Sequence, residues 1–358
     1  MIKGHGGDIY ELARNLGCQP ADIIDMSSNI NPLGPVPALL EHLRENLTVL
    51  DALPDVDGKG VVEAFANHFG LPVERVLAGN GTTQFIFASP LALKMKKVVV
   101  CGPTYADYED ACRTYHVRLE HLLTKESSRF RPDLEALTKL LRDQDAVFIC
   151  NPNNPTGTLI GRSDMIALCK SNPMILFIID ESYLPFSTKY QEATMINHDL
   201  ENVIVLHSFS KIFCIPGLRL GFMVASPQNV VRFRRFYQPW SVNSLAQSAG
   251  IFLLDLFSRD DSYLEMTQAF VIKEHQLFRE RLRGLDGLIL FPSPAPFLLI
   301  KISERLTASQ LCSTLSKDKI LIRNCENFRG LSRQYVRISL KSPEVNARVA
   351  QKLKEIFI

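Results

Sequence analysis

The chain has a single tryptophan, no Cys-x-x-Cys pair, no internal repeat, no low-complexity segment and no surplus of one charge sign. Each absence removes a class of protein. The 40 Lys and Arg against 38 Asp and Glu leave a formal charge of +2, too weak to argue for nucleic acid or an anionic membrane as partner. No apolar run approaches the roughly 20 residues of a membrane span. The opening Met1-Ile2-Lys3-Gly4-His5 lacks a signal-peptide core. The eight cysteines, several within apolar stretches, read as reduced structural thiols, and the expected compartment is the cytoplasm.

What is present is an ordinary enzyme-like composition, 46% hydrophobic and 22% charged over 358 residues. That length can bury a sizeable core and form two subdomains. Short apolar runs at 98–101, 146–150, 175–179, 203–206 and 221–225 alternate with helical patterns, which predicts a mainly parallel sheet sandwiched by helices. Ligands of such sheets gather at the C-terminal ends of the strands. Residues 60–69 have helical spacing, and 76–83 read as a glycine-rich turn leading into a helix over 84–93. A turn of this kind offers free backbone N–H groups to a phosphate. Arginines interleaved with aromatics at 230–237 fit a solvated amphipathic helix better than an RNA contact. One long helix over 244–282 is expected to lead into a separate α+β unit, with strands at 288–291, 297–302, 320–323 and 335–340 and helices at 308–315 and 343–357.

The chemistry concentrates between Asp180 and Arg219. Lys211 follows Ser208 and Ser210 and precedes Arg219 by eight residues. A lysine amine and an anion-binding cluster would then meet where a strand ends. An imine-forming lysine must be partly desolvated, because a solvated ammonium is a poor nucleophile at neutral pH. A phosphate dianion calls for several donors and a fixed cation, which Ser208, Ser210 and the planar fork of Arg219 supply. Asp180, closing an apolar run, is placed to hold a protonated ring nitrogen. The implied cofactor is pyridoxal phosphate. Upstream, Asn151-Pro152-Asn153-Asn154-Pro155-Thr156-Gly157 follows another apolar run.

Together these motifs are identified as those of the fold-type I pyridoxal-phosphate enzymes, and the resemblance covers nearly the whole chain. It implies an α/β fold with a mainly parallel seven-stranded sheet and a small α+β domain. The implied division is an arm over residues 1–40 that belongs to the small domain, a large cofactor-binding domain over 41–245 and a small domain over 246–358. It further implies that Asn154 and Tyr183 bond the cofactor's phenolic oxygen, Asp180 its ring nitrogen, and Gly81, Thr82, Ser208, Ser210 and Arg219 its phosphate. Tyr105 would lie over the ring, Lys211 would hold the aldehyde, and the enzyme would be a homodimer. Arg337 matches the arginine that clamps a substrate α-carboxylate, and Arg323 resembles an extra arginine used for a substrate phosphate. With His5 and Asn29 they would read a phosphorylated amino acid.

The pairing of His5-Gly6-Gly7 with Ser27-Ser28-Asn29-Ile30-Asn31-Pro32-Leu33-Gly34 is similar to the L-threonine-O-3-phosphate decarboxylases of cobalamin biosynthesis. The histidinol-phosphate aminotransferases are the sister alternative. A transcription regulator built on the same fold would need a DNA-binding module, yet only about 75 residues precede the glycine turn, with no basic helix-turn-helix pattern. Two departures stand out. Relatives place a tyrosine near position 53 that reaches the partner subunit's cofactor phosphate, where this chain has Leu53; and Thr83-Gln84 stand where an acidic residue is common.

Overall fold

The computed structural model describes residues 6–357. His5, expected at the substrate site, lies outside them.

The strands in chain order are β1 Ile24–Asp25, β2 Val76–Asn80, β3 Lys97–Gly102, β4 Arg118–Leu123, β5 Ala146–Cys150, β6 Leu176–Asp180, β7 Val203–Ser208, β8 Leu220–Val224, β9 Leu288–Leu290, β10 Phe297–Ile302, β11 Ile320–Leu321, β12 Arg323–Asn324 and β13 Tyr335–Ser339. Seven of them form the main sheet in the order β2-β8-β7-β6-β5-β3-β4. Neighbours run parallel except β8, which is antiparallel to both β2 and β7. The central strands bury both faces. Val203 and Val205 join the core that contains Phe65 and Phe222, while Ile204 and Leu206 join the opposite core with Phe85 and Phe148. This two-sided burial makes their sequences continuous apolar runs rather than alternating ones.

A second, four-stranded antiparallel sheet has the order β12-β13-β10-β9. It packs against the helices Ser262–Arg281, Ala308–Ser316 and Pro343–Phe357 through Phe278, Leu298, Leu311, Val336 and Val349. Near the N-terminus β1 pairs in parallel with β11, so this end of the chain is stitched to a segment almost 300 residues downstream.

Four expectations are corrected. Residues 76–80 are a strand rather than part of a turn. Gly79 lies opposite Gly221, and a Cβ on Gly79 would come within 2.7 Å of the Phe85 ring, so the glycine marks close approach inside a strand. β4 has no counterpart among the expected strands because it is a half-buried edge with polar side chains. The helix expected over 244–282 is two, Ser244–Phe257 and Ser262–Arg281. Between them Ser258 Oγ caps the Leu254 carbonyl at 2.7 Å and Asp260 Oδ1 accepts the Ser262 N–H at 2.9 Å, ending one helix and starting the next. The strand expected over 320–323 is divided, with Ile320–Leu321 serving β1 and Arg323–Asn324 serving β13.

Candidate active site

The site lies at the C-terminal ends of β2, β3, β5, β6 and β7. Asp180, the last residue of β6, is 5% exposed. Its Oδ1 accepts the Ser182 N–H at 3.0 Å and the Ser182 hydroxyl at 2.5 Å, and its Oδ2 accepts the Tyr108 hydroxyl at 2.8 Å. Three donors therefore fix the carboxylate's plane. Tyr108 is fully buried and stacks on Phe148 at 5.1 Å between ring centroids.

Lys211 sits in the short helix Phe209–Ile212 that follows β7. Burial first, then the charges of Arg219 and Arg337, bring its amine down to about 8, against a smaller opposing pull from Asp180 and Asp107. A group so placed carries an appreciable neutral fraction near neutral pH, as an imine-forming amine must.

Opposite, Gly81 caps the helix Thr82–Ala92 with φ of +74°. A Cβ there would lie 2.5 Å from Arg219 Nη2, so glycine is required for both backbone and space. Arg219 itself adopts φ of +60°, a strained conformation for a branched-fork side chain that brings its guanidinium back over the helix N-terminus. Free N–H groups, a guanidinium and the buried hydroxyls of Ser208 and Ser210 thus converge on one anion seat. All the cofactor residues expected from the sequence line this one cavity.

The adjoining cavity shares Tyr105, Asn154, Tyr183 and Lys211 with the first and adds Asn29, Arg323 and Arg337. Arg337, on β13, is 4% exposed. Its Nη1 donates to Asn154 Oδ1 and its Nη2 to the Ser27 carbonyl, both at 2.5 Å. Its Nε is buried with no partner among the described residues. A guanidinium has five N–H donors, so these two bonds leave part of its donor capacity, Nε included, without an acceptor among the described residues. Asn29 Nδ2 donates to the Tyr183 hydroxyl at 3.2 Å, and Asn29 Oδ1 accepts from Ser339 at 2.6 Å. Burial drives the Tyr183 phenol up to about 12. Arg323 is half-buried, bonded to Asn327 at 2.7 Å and placed 5.1 Å over the Phe328 ring.

Sequence reasoning missed Tyr108, Ser182 and Asn31. Ser182 carried a signal, since a hydroxyl two residues after Asp favours a side-chain turn. Asn31 ties the arm to the lysine: its N–H donates to the Lys211 carbonyl at 3.0 Å, and its Nδ2 to the Ile212 carbonyl at 2.7 Å and Thr267 Oγ1 at 2.8 Å. Nothing local to its own segment reveals those partners.

These residues fit pyridoxal phosphate. A carboxylate with fixed plane, a seat for a dianion, an amine of lowered basicity and a tyrosine beside them match its ring nitrogen, phosphate, aldehyde and aromatic face. The sequence matches the aminotransferase class I and II family over residues 21–353. It is 33% identical over 359 residues to the threonine-phosphate decarboxylase of Salmonella typhimurium, covering 99% of this chain and 97% of that one. Identity is also 33% to an adenosylcobalamin biosynthesis bifunctional protein of Leptospira interrogans, of which this chain spans 41%. The histidinol-phosphate aminotransferase of Methanococcus aeolicus is 27% identical, with 97% of this chain and 93% of that protein covered. The crystal structure of L-threonine-O-3-phosphate decarboxylase from Porphyromonas gingivalis superposes with a TM-score of 0.83 at 29% identity, over 93% of this chain and 99% of that one. By sequence and by fold, the chain belongs to the pyridoxal phosphate-dependent class I and II aminotransferase family.

Proposed function

We propose that the chain decarboxylates L-threonine O-3-phosphate to (R)-1-aminopropan-2-yl phosphate, as part of cobalamin biosynthesis. The observation that carries this reading is the pair of arginines in one cavity, Arg337 buried with its Nε unpartnered and Arg323 at the rim. They suit one substrate bearing both a carboxylate and a phosphate. Histidinol phosphate, for which the aminotransferase relatives are named, brings a phosphate but no carboxylate, so it would offer this pair one anionic group where threonine phosphate offers two.

Bound pyridoxal phosphate supplies a conjugated ring that accepts the electrons of whichever Cα bond stands perpendicular to it. The protein decides which bond that is. In this reading Arg337 takes the carboxylate through its Nε edge and orients it, while Arg323 holds the phosphate. Asp180 keeps the ring nitrogen protonated, and the seat at Gly81, Thr82, Ser208, Ser210 and Arg219 anchors the cofactor phosphate. Lys211 Nζ or a water would return a proton to Cα after carbon dioxide leaves. Phosphoserine, shorter by one methyl, is discriminated by only about 1–3 kcal/mol.

A homodimer and a cytoplasmic setting complete the reading. Leu47, Leu50, Leu53 and Val56 are all exposed, and the Trp240 N–H bonds the Val56 carbonyl at 2.9 Å with its ring also exposed. An apolar edge of this kind marks a contact surface.

The deciding assay measures carbon dioxide release from L-threonine phosphate beside 2-oxoglutarate-dependent transamination of histidinol phosphate. Decarboxylation alone is expected. Efficient transamination without carbon dioxide release would replace this reading with the aminotransferase.

A further inference from the structure

Arg337 Nη2 is held by a backbone carbonyl, and the loop that carries this carbonyl is folded by one carboxylate. Asp25 Oδ1 accepts the Ser27 N–H at 2.8 Å, the Ser27 hydroxyl at 2.7 Å and the Ser28 N–H at 3.1 Å, while its Oδ2 accepts the Ser28 hydroxyl at 2.5 Å. Four donors from two consecutive residues wind the segment into a tight turn. Strand pairing fixes the turn from below. Asp25 lies opposite Leu321, the Met26 N–H donates to the Leu321 carbonyl at 2.8 Å, and the Ser339 N–H donates to the Met26 carbonyl at 2.8 Å. Ser27 Oγ accepts the Gly7 N–H at 2.7 Å, and Lys341 Nζ donates to the Ser28 carbonyl at 3.3 Å. The product of this folding is a Ser27 carbonyl aimed at a buried guanidinium.

The geometry points to Asp25 as a positioning residue for the substrate carboxylate: by fixing the Ser27 carbonyl it sets the plane of Arg337 and leaves the phosphate end of the site untouched. This rests on the reading of Arg337 as a carboxylate clamp. Removing the Asp25 side chain leaves the Ser27 and Ser28 donors without their acceptor in a segment where Ser27 is 2% exposed. The turn must then reopen to find partners, and the carbonyl moves with it. An asparagine keeps Oδ1 for three of the bonds, and its Nδ2 donates to the Ser28 hydroxyl instead of accepting from it.

The test uses the cofactor-loaded protein and two ligands without an amine, so neither is turned over: 3-phosphoglycerate, which has carboxylate and phosphate, and glycerol 3-phosphate, which has phosphate alone. Dissociation constants are measured by calorimetry for the wild type, Asp25→Ala and Asp25→Asn. Asp25→Ala is expected to weaken 3-phosphoglycerate about tenfold, the equivalent of about 1.4 kcal/mol, and glycerol 3-phosphate less than about twofold, with Asp25→Asn close to wild type for both. Equal weakening of both ligands, no weakening of either, or failure of the asparagine to rescue would each overturn the inference. A wild type that binds neither ligand, or both equally, would instead overturn the carboxylate-and-phosphate reading itself, and the inference with it.

Discussion

The two walls of the site are built differently. The cofactor wall is the rim of the main sheet, where Cys150 lies opposite Asp180 and Asp180 opposite Leu206 in parallel register. Each functional group there lies at a strand end or within four residues of one. The substrate wall joins the two ends of the chain: Arg337 to Ser27 and Ser339 to Asn29 both span 310 positions. Strand ends are set by sheet geometry, whereas the cross-chain wall depends on distant partners and meets the rim at the Arg337–Asn154 and Asn29–Tyr183 hydrogen bonds. The rim carries the motifs of the family; in the proposed reading the other wall selects the reaction.

If that separation holds, mutations on the two walls have different signatures. Lys211→Ala removes the covalent and proton-transferring group, and a loss of about 10⁴-fold in kcat is expected, together with loss of the lysine-linked absorbance band after cofactor addition. Arg337→Lys keeps the charge but loses the planar fork and its bonds to Asn154 and Ser27. A fall of about 10²- to 10³-fold in kcat/KM is expected, with the absorbance band of the resting enzyme intact. A lost band in Arg337→Lys would mean the walls are not separable.

The pH dependence of cofactor capture tests the rim, with Arg337 acting on it from the other wall. With its amine lowered to about 8 by burial and by Arg219 and Arg337, Lys211 is about 1% neutral at pH 6 and about half neutral at pH 8. The initial rate at which apoprotein takes up pyridoxal phosphate should rise about fiftyfold over that interval and level off above it. A rate still climbing tenfold per unit through pH 10 would show a solvated lysine. A smaller effect is expected from Tyr108→Phe, which deletes one of three donors to Asp180. Cofactor affinity should weaken about tenfold, as a charge-assisted hydrogen bond predicts, while substrate KM stays unchanged.

The same contrast explains what was legible in the sequence. The central strands could be read because burial on both faces makes them apolar runs, and Asp180, Ser208, Lys211 and Arg219 could be read because they follow those runs. β4 could not, since a half-buried edge of the composition Arg-Leu-Glu-His-Leu-Leu has no two-sided core to declare it. Arg337 was marked only through resemblance; within a strand pattern an arginine most often faces solvent, and its burial depends on Asn154 and Ser27 arriving from elsewhere. Asp25, which closes β1, and Asn31, which precedes the turn at 32–33, lie in a polar segment that by composition suggests only turns. Their further role lies in what the turn presents, a carbonyl for Arg337 and a staple on the Lys211 backbone, and partners so distant leave no periodicity to detect.

The smallest expected effect concerns neither wall but the edge beside them. Leu53 is 75% exposed, and the family resemblance implies a tyrosine near this position that reaches the partner subunit's cofactor phosphate. In a dimer of this chain that hydrogen bond is missing, and the anion seat relies on Arg219, Ser208, Ser210 and the helix that begins at Thr82. Leu53→Tyr should restore one neutral donor to a charged acceptor, worth about 1 kcal/mol or roughly a fivefold gain in cofactor affinity, without changing kcat. Measured by equilibrium dialysis, the gain should vanish in a variant forced to be monomeric by charges at Leu50 and Val56. A gain that survives in the monomer would place the new hydroxyl against its own subunit, and no gain in either form would show that position 53 does not reach a cofactor phosphate.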